Sequence, residues 1–135
     1  MSKHIALFIP GNPVPQGRPK FARQGNFVRC YDPKKSSEWK QFISLRAASE
    51  NVQPFSQGTA LEISAVFYLT RPVSVSVKKR PYPTSKPDLD NLIKALKDGL
   101  KGITWHDDSQ VVKISAVKQY SDKPGIYIEV VEFTG

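Results

Sequence analysis

The sequence predicts an α+β fold, a mixed sheet of about four strands packed with two main helices in a single domain over residues 1–135. Three observations carry that expectation. Four stretches have the composition or alternation of strands, and two place apolar residues at helical spacing. The two kinds of element do not alternate regularly, as a doubly wound parallel sheet requires.

His4–Ile9 is a short apolar run that stops at Pro10-Gly11 and reads as the first strand. Pro10–Cys30 is rich in Pro, Gly and Gln, carries Arg18, Lys20, Arg23 and Arg29, and reads as a long basic loop. Pro33–Ser49 reads as a helix: Asp32 is placed to cap it, Pro33 fits its first position, and Trp39, Phe42, Ile43 and Ala47 recur at helical spacing. Ala60–Leu69 alternates, with Leu61, Ile63, Ala65, Phe67 and Leu69 on one face, and reads as a half-buried strand.

Thr70–Pro87 is a second loop, with Pro72, Pro81, Pro83 and Pro87 among Arg71, Lys78, Lys79, Arg80 and Lys86 and no acidic residue. Asp88–Lys101 then reads as an amphipathic helix. Leu89, Leu92, Ile93, Leu96 and Leu100 share one face, Asn91, Lys94 and Asp98 the other, and Gly102 is placed to end it. Val111–Tyr120 and Ile126–Phe133 read as strands. The turn-forming Ser121–Gly125 between them predicts an antiparallel hairpin.

At 135 residues the chain can bury a core without disulfides, and the single Cys30 offers neither a disulfide pair nor zinc-ligand spacing. No apolar run is long enough to cross a membrane, and the N-terminus lacks the pattern of a signal peptide, so a cytoplasmic protein with no membrane partner is expected. Twenty Lys and Arg against 12 Asp and Glu give a net charge of +8. Such a surplus points to a polyanion, since displacing condensed counterions from nucleic acid drives association. The basic residues of the two loops, Arg18, Lys20, Arg23, Arg29, Lys78, Lys79, Arg80 and Lys86, are the candidate DNA contacts. Phe21, Phe27 and Tyr31 among them are candidates either for stacking on unpaired bases or for the core or a subunit interface.

Against that charge, two acidic doublets flank the second helix: Asp88 and Asp90 where the basic loop enters it, and Asp107 and Asp108 before the next strand. Each alone is explained by a helix cap or a turn. Together in a basic protein they point to a metal site of hard oxygen ligands, suited to Mg²⁺ or Mn²⁺, if helix and strand bring both doublets to one end. Lys94, a helical turn beyond Asp90, is placed to reach the same phosphate. An EF-hand beginning at Asp88 is excluded, because Ile93 stands where its glycine belongs and Gly99 where its last ligand belongs. His4 and His106 make no zinc-like cluster.

The run Lys86-Pro87-Asp88-x-Asp90-Asn91-Leu92-x-Lys94, then Asp98-Gly99-Leu100, then Trp105-x-Asp107-Asp108-x-Gln110-Val111, resembles the RusA family of Holliday junction resolvases. Pro13–Pro19 resembles the family's N-terminal signature more weakly. The resemblance implies a RusA-like α+β subunit with Asp88, Asp90 and Asp108 as catalytic carboxylates. It makes Asp107 an accessory metal ligand or a group behind the ligands, and Lys94 the essential lysine. It further implies a Mg²⁺-dependent homodimer, with no small-molecule cofactor, that nicks opposed strands of a four-way junction symmetrically and leaves 5′-phosphates. Two other readings share these residues: a branched-DNA-binding module with little or no cleavage, and a less selective flap or fork nuclease.

Overall fold

The computed structural model describes residues 3–31 and 33–135. Its elements run β1 (His4–Pro10), β2 (Lys20–Gln24), β3 (Phe27–Tyr31), α1 (Lys34–Ser49), β4 (Leu61–Leu69), α2 (Leu89–Leu100), a 3-10 turn at Asp108–Gln110, β5 (Val111–Tyr120) and β6 (Gly125–Glu132). The main sheet has the order β1-β6-β4-β5, with β6 antiparallel to both neighbours and β5 parallel to β4. A mixed four-stranded sheet with two helices is the expected α+β arrangement.

Alternation in the sequence becomes rows in the sheet. Register sets Val130 between Ile5 and Ile63, Ile128 between Leu7 and Ala65, and Ile126 between Ile9 and Phe67. All nine side chains are buried, in one core with Trp39, Ile43 and Ala47 of α1 and Leu92, Leu96 and Leu100 of α2. Each large member contributes about 1.5–3 kcal/mol by leaving water. The helices touch at Gly99, where a Cβ would stand 2.8 Å from Ile43 Cβ, so only glycine allows this approach. Ser44 Oγ donates to the Gly99 carbonyl at the same crossing.

Two expectations are overturned. The last two strands are not hairpin neighbours, because β4 lies between them and pairs with both. The Ser121–Gly125 connector crosses the end of β4, with Ser121 N donating to Leu69 O and Gly11 N to Pro124 O. Residues 20–31 are not simply a loop but an antiparallel hairpin, β2–β3, turning at Gly25-Asn26. Gly25 has φ +60° and Asn26 is not left-handed, the pattern of a II′ turn. Helix α1 begins at Lys34 with Pro33 in the cap position, and the expected cap Asp32 lies outside the described residues. Among the described residues no helix is long and apolar enough to cross a membrane.

Candidate active site and its basic surround

Helix α2 carries the first half of the site. Its amphipathic spacing buries Leu92, Ala95, Leu96 and Leu100, which leaves Asp90, Lys94 and Lys97 to recur along an outward flank. Asp88 stands at the cap position, yet its carboxylate makes no capping hydrogen bond. The carboxylate of Asp90 accepts from the Asn91 amide at 3.0 Å.

The second half is a turn that leaves the end of α2 and enters β5. Gly102, at φ +85°, breaks the helix, and the turn then buries Trp105 completely. The indole N–H of Trp105 donates to Asp108 Oδ1 at 2.8 Å. Asp107 caps the 3-10 turn by accepting from Ser109 N at 3.1 Å. That bond, reinforced by the Ser109 side chain, holds the exposed Asp107 carboxyl below its ordinary 3.8. Gln110 is buried and braces the whole segment. Its Oε1 accepts from His106 N (2.9 Å) and Asp107 N (3.0 Å), and its Nε2 donates to Ser56 O (2.9 Å) and Thr59 O (3.0 Å).

One residue of each acidic doublet, Asp90 and Asp108, meets the other beside α2, while Asp88 and Asp107 do not join them. An open cleft of about 250 Å³ is lined by Asp90, Ile93, Lys94, Lys97, Asp98 and Asp108. Asp98 is committed to Lys40 at 3.1 Å. Asp88 instead lines a separate groove of about 510 Å³, together with Arg18, Lys35, Lys86 and Asn91. Asp107 lines neither. Among the described residues no three acidic, histidine or cysteine side chains gather closely enough to enclose a metal. The cleft nevertheless offers hard oxygen donors from Asp90 and Asp108, of the kind a divalent cation that keeps several waters takes together with substrate phosphates, and no thiolate or imidazole lines it for a softer ion.

Of the eight basic residues singled out in the sequence, Arg18 and Lys86 lie in the groove beside Asp88. Lys20 and Arg23 are exposed on β2, and the Arg29 side chain lies outside the described residues, as does that of Tyr31. Lys78 and Lys79 are exposed, and Arg80 is half-buried with its guanidinium donating to Ser85 Oγ at 3.3 Å. Their loop is organised by Arg71, which donates to the Arg80 carbonyl and sits 4.2 Å over the Tyr120 ring. Lys118 of β5 donates to Ser85 O and Pro87 O at 3.1 and 2.9 Å and pins the segment that leads into Asp88. On the hairpin, Phe21 and Phe27 are both largely exposed and so are not core residues.

Three participants, Lys35, Lys97 and Lys118, carry no mark in the motif itself. Lys97 had a usable signal, being three residues beyond Lys94 on the same flank. Lys35 and Lys118 had none, because their places depend on segments distant in the chain, whereas Gln110, three residues after Asp107, stands where a capping box puts its glutamine.

The family model described as Endodeoxyribonuclease RusA matches residues 10–131. The uncharacterized protein YqaN of Bacillus subtilis strain 168 is 33% identical over 136 residues, covering 95% of this chain and 96% of that protein. The crossover junction endodeoxyribonuclease rusA of Lactococcus phage r1t is 36% identical over 95 residues, covering 66% of this chain and 70% of the phage protein.

Proposed function

This chain belongs to the RusA endodeoxyribonuclease family, and from that premise we propose that it resolves four-way DNA junctions by paired symmetric nicks, using Mg²⁺ or, in its place, Mn²⁺. The observation that carries this reading is the cleft on α2, where the carboxylates of Asp90 and Asp108 share one lining with the ammonium groups of Lys94 and Lys97.

Asp90 and Asp108 would hold the cation, with Asp88 lining the separate basic groove and Asp107 shaping the turn that carries Asp108. Bound there, the ion would lower the pKa of a coordinated water and offset charge growing on the phosphodiester. Lys94, exposed one turn beyond Asp90, meets the same phosphate and stabilises the 3′ oxygen as it leaves. The groove of Arg18, Lys35 and Lys86 takes the strand on one side of the cut. Lys20, Arg23, Lys78, Lys79 and Arg80 would contact the backbone of the junction arms, and Arg29 is a candidate for the same role by its charge alone. Two copies related by a twofold axis would present two clefts to the opposed strands, matching the near-twofold symmetry of the junction. The protein would act in the cytoplasm.

Conservative replacement of the carboxylates tests the assignment. Asp90→Asn and Asp108→Asn are expected to bind a labelled four-way junction at least as tightly as the unmodified protein and to cut it less than about a hundredth as fast in Mg²⁺. Cleavage by both variants within a few-fold of the unmodified rate would remove the cleft from the chemistry.

A further inference from the structure

A buried indole needs a partner for its N–H, and a buried tryptophan normally finds one in a backbone carbonyl or a neutral side chain. Trp105 is completely buried in the core, yet its Nε1–H donates at 2.8 Å to a carboxylate that lines the open cleft, Oδ1 of Asp108. The rest of the turn is tied down independently. The Asp107 carboxylate is turned back onto Ser109 N, and Gln110 holds the amides of residues 106 and 107 while donating to Ser56 O and Thr59 O. Among the described residues the second carboxylate oxygen of Asp108 accepts no protein hydrogen bond.

We infer that Trp105 is a positioning residue for Asp108: the core fixes the indole, the indole holds Oδ1, and Oδ2 is left for a divalent cation in the cleft shared with Asp90. The inference rests on the proposed role of Asp108 as a ligand and adds the group that orients it. A charge-assisted bond from a ring that cannot turn selects one carboxylate rotamer before the ion arrives. Ordering Asp108 then costs nothing at the moment of binding. Removing such outer partners of a metal ligand typically weakens metal affinity about 10–100-fold. A purely structural indole would show a different pattern, in which its loss lowers stability and leaves metal affinity unchanged.

Mn²⁺ binding to the full-length protein without DNA separates the two, followed by electron paramagnetic resonance or calorimetry in the unmodified protein and in Trp105→Phe, Asp108→Asn and the double variant. Phenylalanine keeps most of the buried ring and deletes only the donor. The expected result is about 10–100-fold weaker Mn²⁺ binding in Trp105→Phe, with the double variant no weaker than Asp108→Asn alone. Wild-type affinity in Trp105→Phe beside a loss in Asp108→Asn would overturn the positioning role and leave Asp108 a ligand. Wild-type affinity in Asp108→Asn would overturn the ligand assignment itself. A second readout needs no substitution at Trp105. On titration with Mg²⁺ the indole N–H resonance of Trp105 should shift with the midpoint of metal binding, while that of Trp39, which lies outside the cleft, stays still. An unmoved Trp105 resonance at saturating Mg²⁺ would likewise overturn the inference.

Discussion

Replacing Gln110 with leucine should loosen the turn that carries Asp107 and Asp108. The glutamine is buried and makes four hydrogen bonds between 2.9 and 3.0 Å, two to amides of the turn and two to carbonyls of the segment before β4. Leucine matches its bulk but satisfies none of the four groups. A neutral hydrogen bond contributes about 0.5–1.5 kcal/mol net, so four set an upper figure of about 6 kcal/mol. His106, Asp107 and Ser56 are exposed enough to regain water, which discounts most of that. The expected loss is about 2–3 kcal/mol, or a fall in Tm of about 6–15 °C for a domain of this size. Urea unfolding followed by circular dichroism measures it as a lower midpoint at unchanged slope. Cleavage should fall further than the unfolded fraction accounts for, because Asp108 rides on the same turn. A midpoint shift equivalent to less than about 0.5 kcal/mol would refute the bracing role.

Three other outcomes are expected. Gly99→Ala places a methyl 2.8 Å from Ile43 Cβ at the crossing of α1 and α2 and should cost about 1–3 kcal/mol in the same urea assay. The folded-state pKa of Asp107 lies below its ordinary 3.8, so its stabilisation is present above that value and lost as pH falls through the lower one. In unfolding midpoints taken from about pH 6 down to pH 2, Asp107→Asn should therefore flatten part of the acid-side decline and leave the neutral side level. Alanine at Arg18, Lys35 or Lys86 should weaken junction binding and reduce the slope of log affinity against log salt by about one for each phosphate no longer neutralised.

What the sequence revealed follows from where water is excluded. Strand β4 is central, and its Leu61–Leu69 alternation is visible because one face is wholly buried. Helix α2 is legible for the same reason. The β2–β3 hairpin hides because its large apolar residues stay outside: Phe21, Phe27 and Val28 are 68–78% exposed, so among the described side chains no burial alternation marks the strands. Its one local signal was the Gly25-Asn26 turn. The false hairpin at Ser121–Gly125 has the opposite cause. Its turn chemistry is real, but strand neighbours are chosen by long-range pairing with β4, which no local pattern encodes.

The site divides in the same way. Asp88, Asp90 and Lys94 are marked by spacing at the start of one helix, but Asp88 stands at the cap with extended backbone, before the helical residues that carry Asp90 and Lys94. Asp88 and Asp90 line different recesses. Asp107 and Asp108 look equivalent in the sequence, and the turn separates them, sending one carboxylate to Ser109 N and the other to the indole of Trp105. That distinction arises from a buried ring and a half-turn of helix, neither of which a run of residue types conveys.

If the acidic cleft cuts DNA at branch points, the most direct measurement incubates the purified protein with an end-labelled four-way junction and a linear duplex of matched sequence, each with Mg²⁺ or with EDTA. Paired nicks at symmetric positions on opposed strands of the junction are expected, with none in EDTA and an intact duplex. Equal cutting of both substrates, or tight junction binding with no cleavage in Mg²⁺ or Mn²⁺, would contradict that role for the cleft.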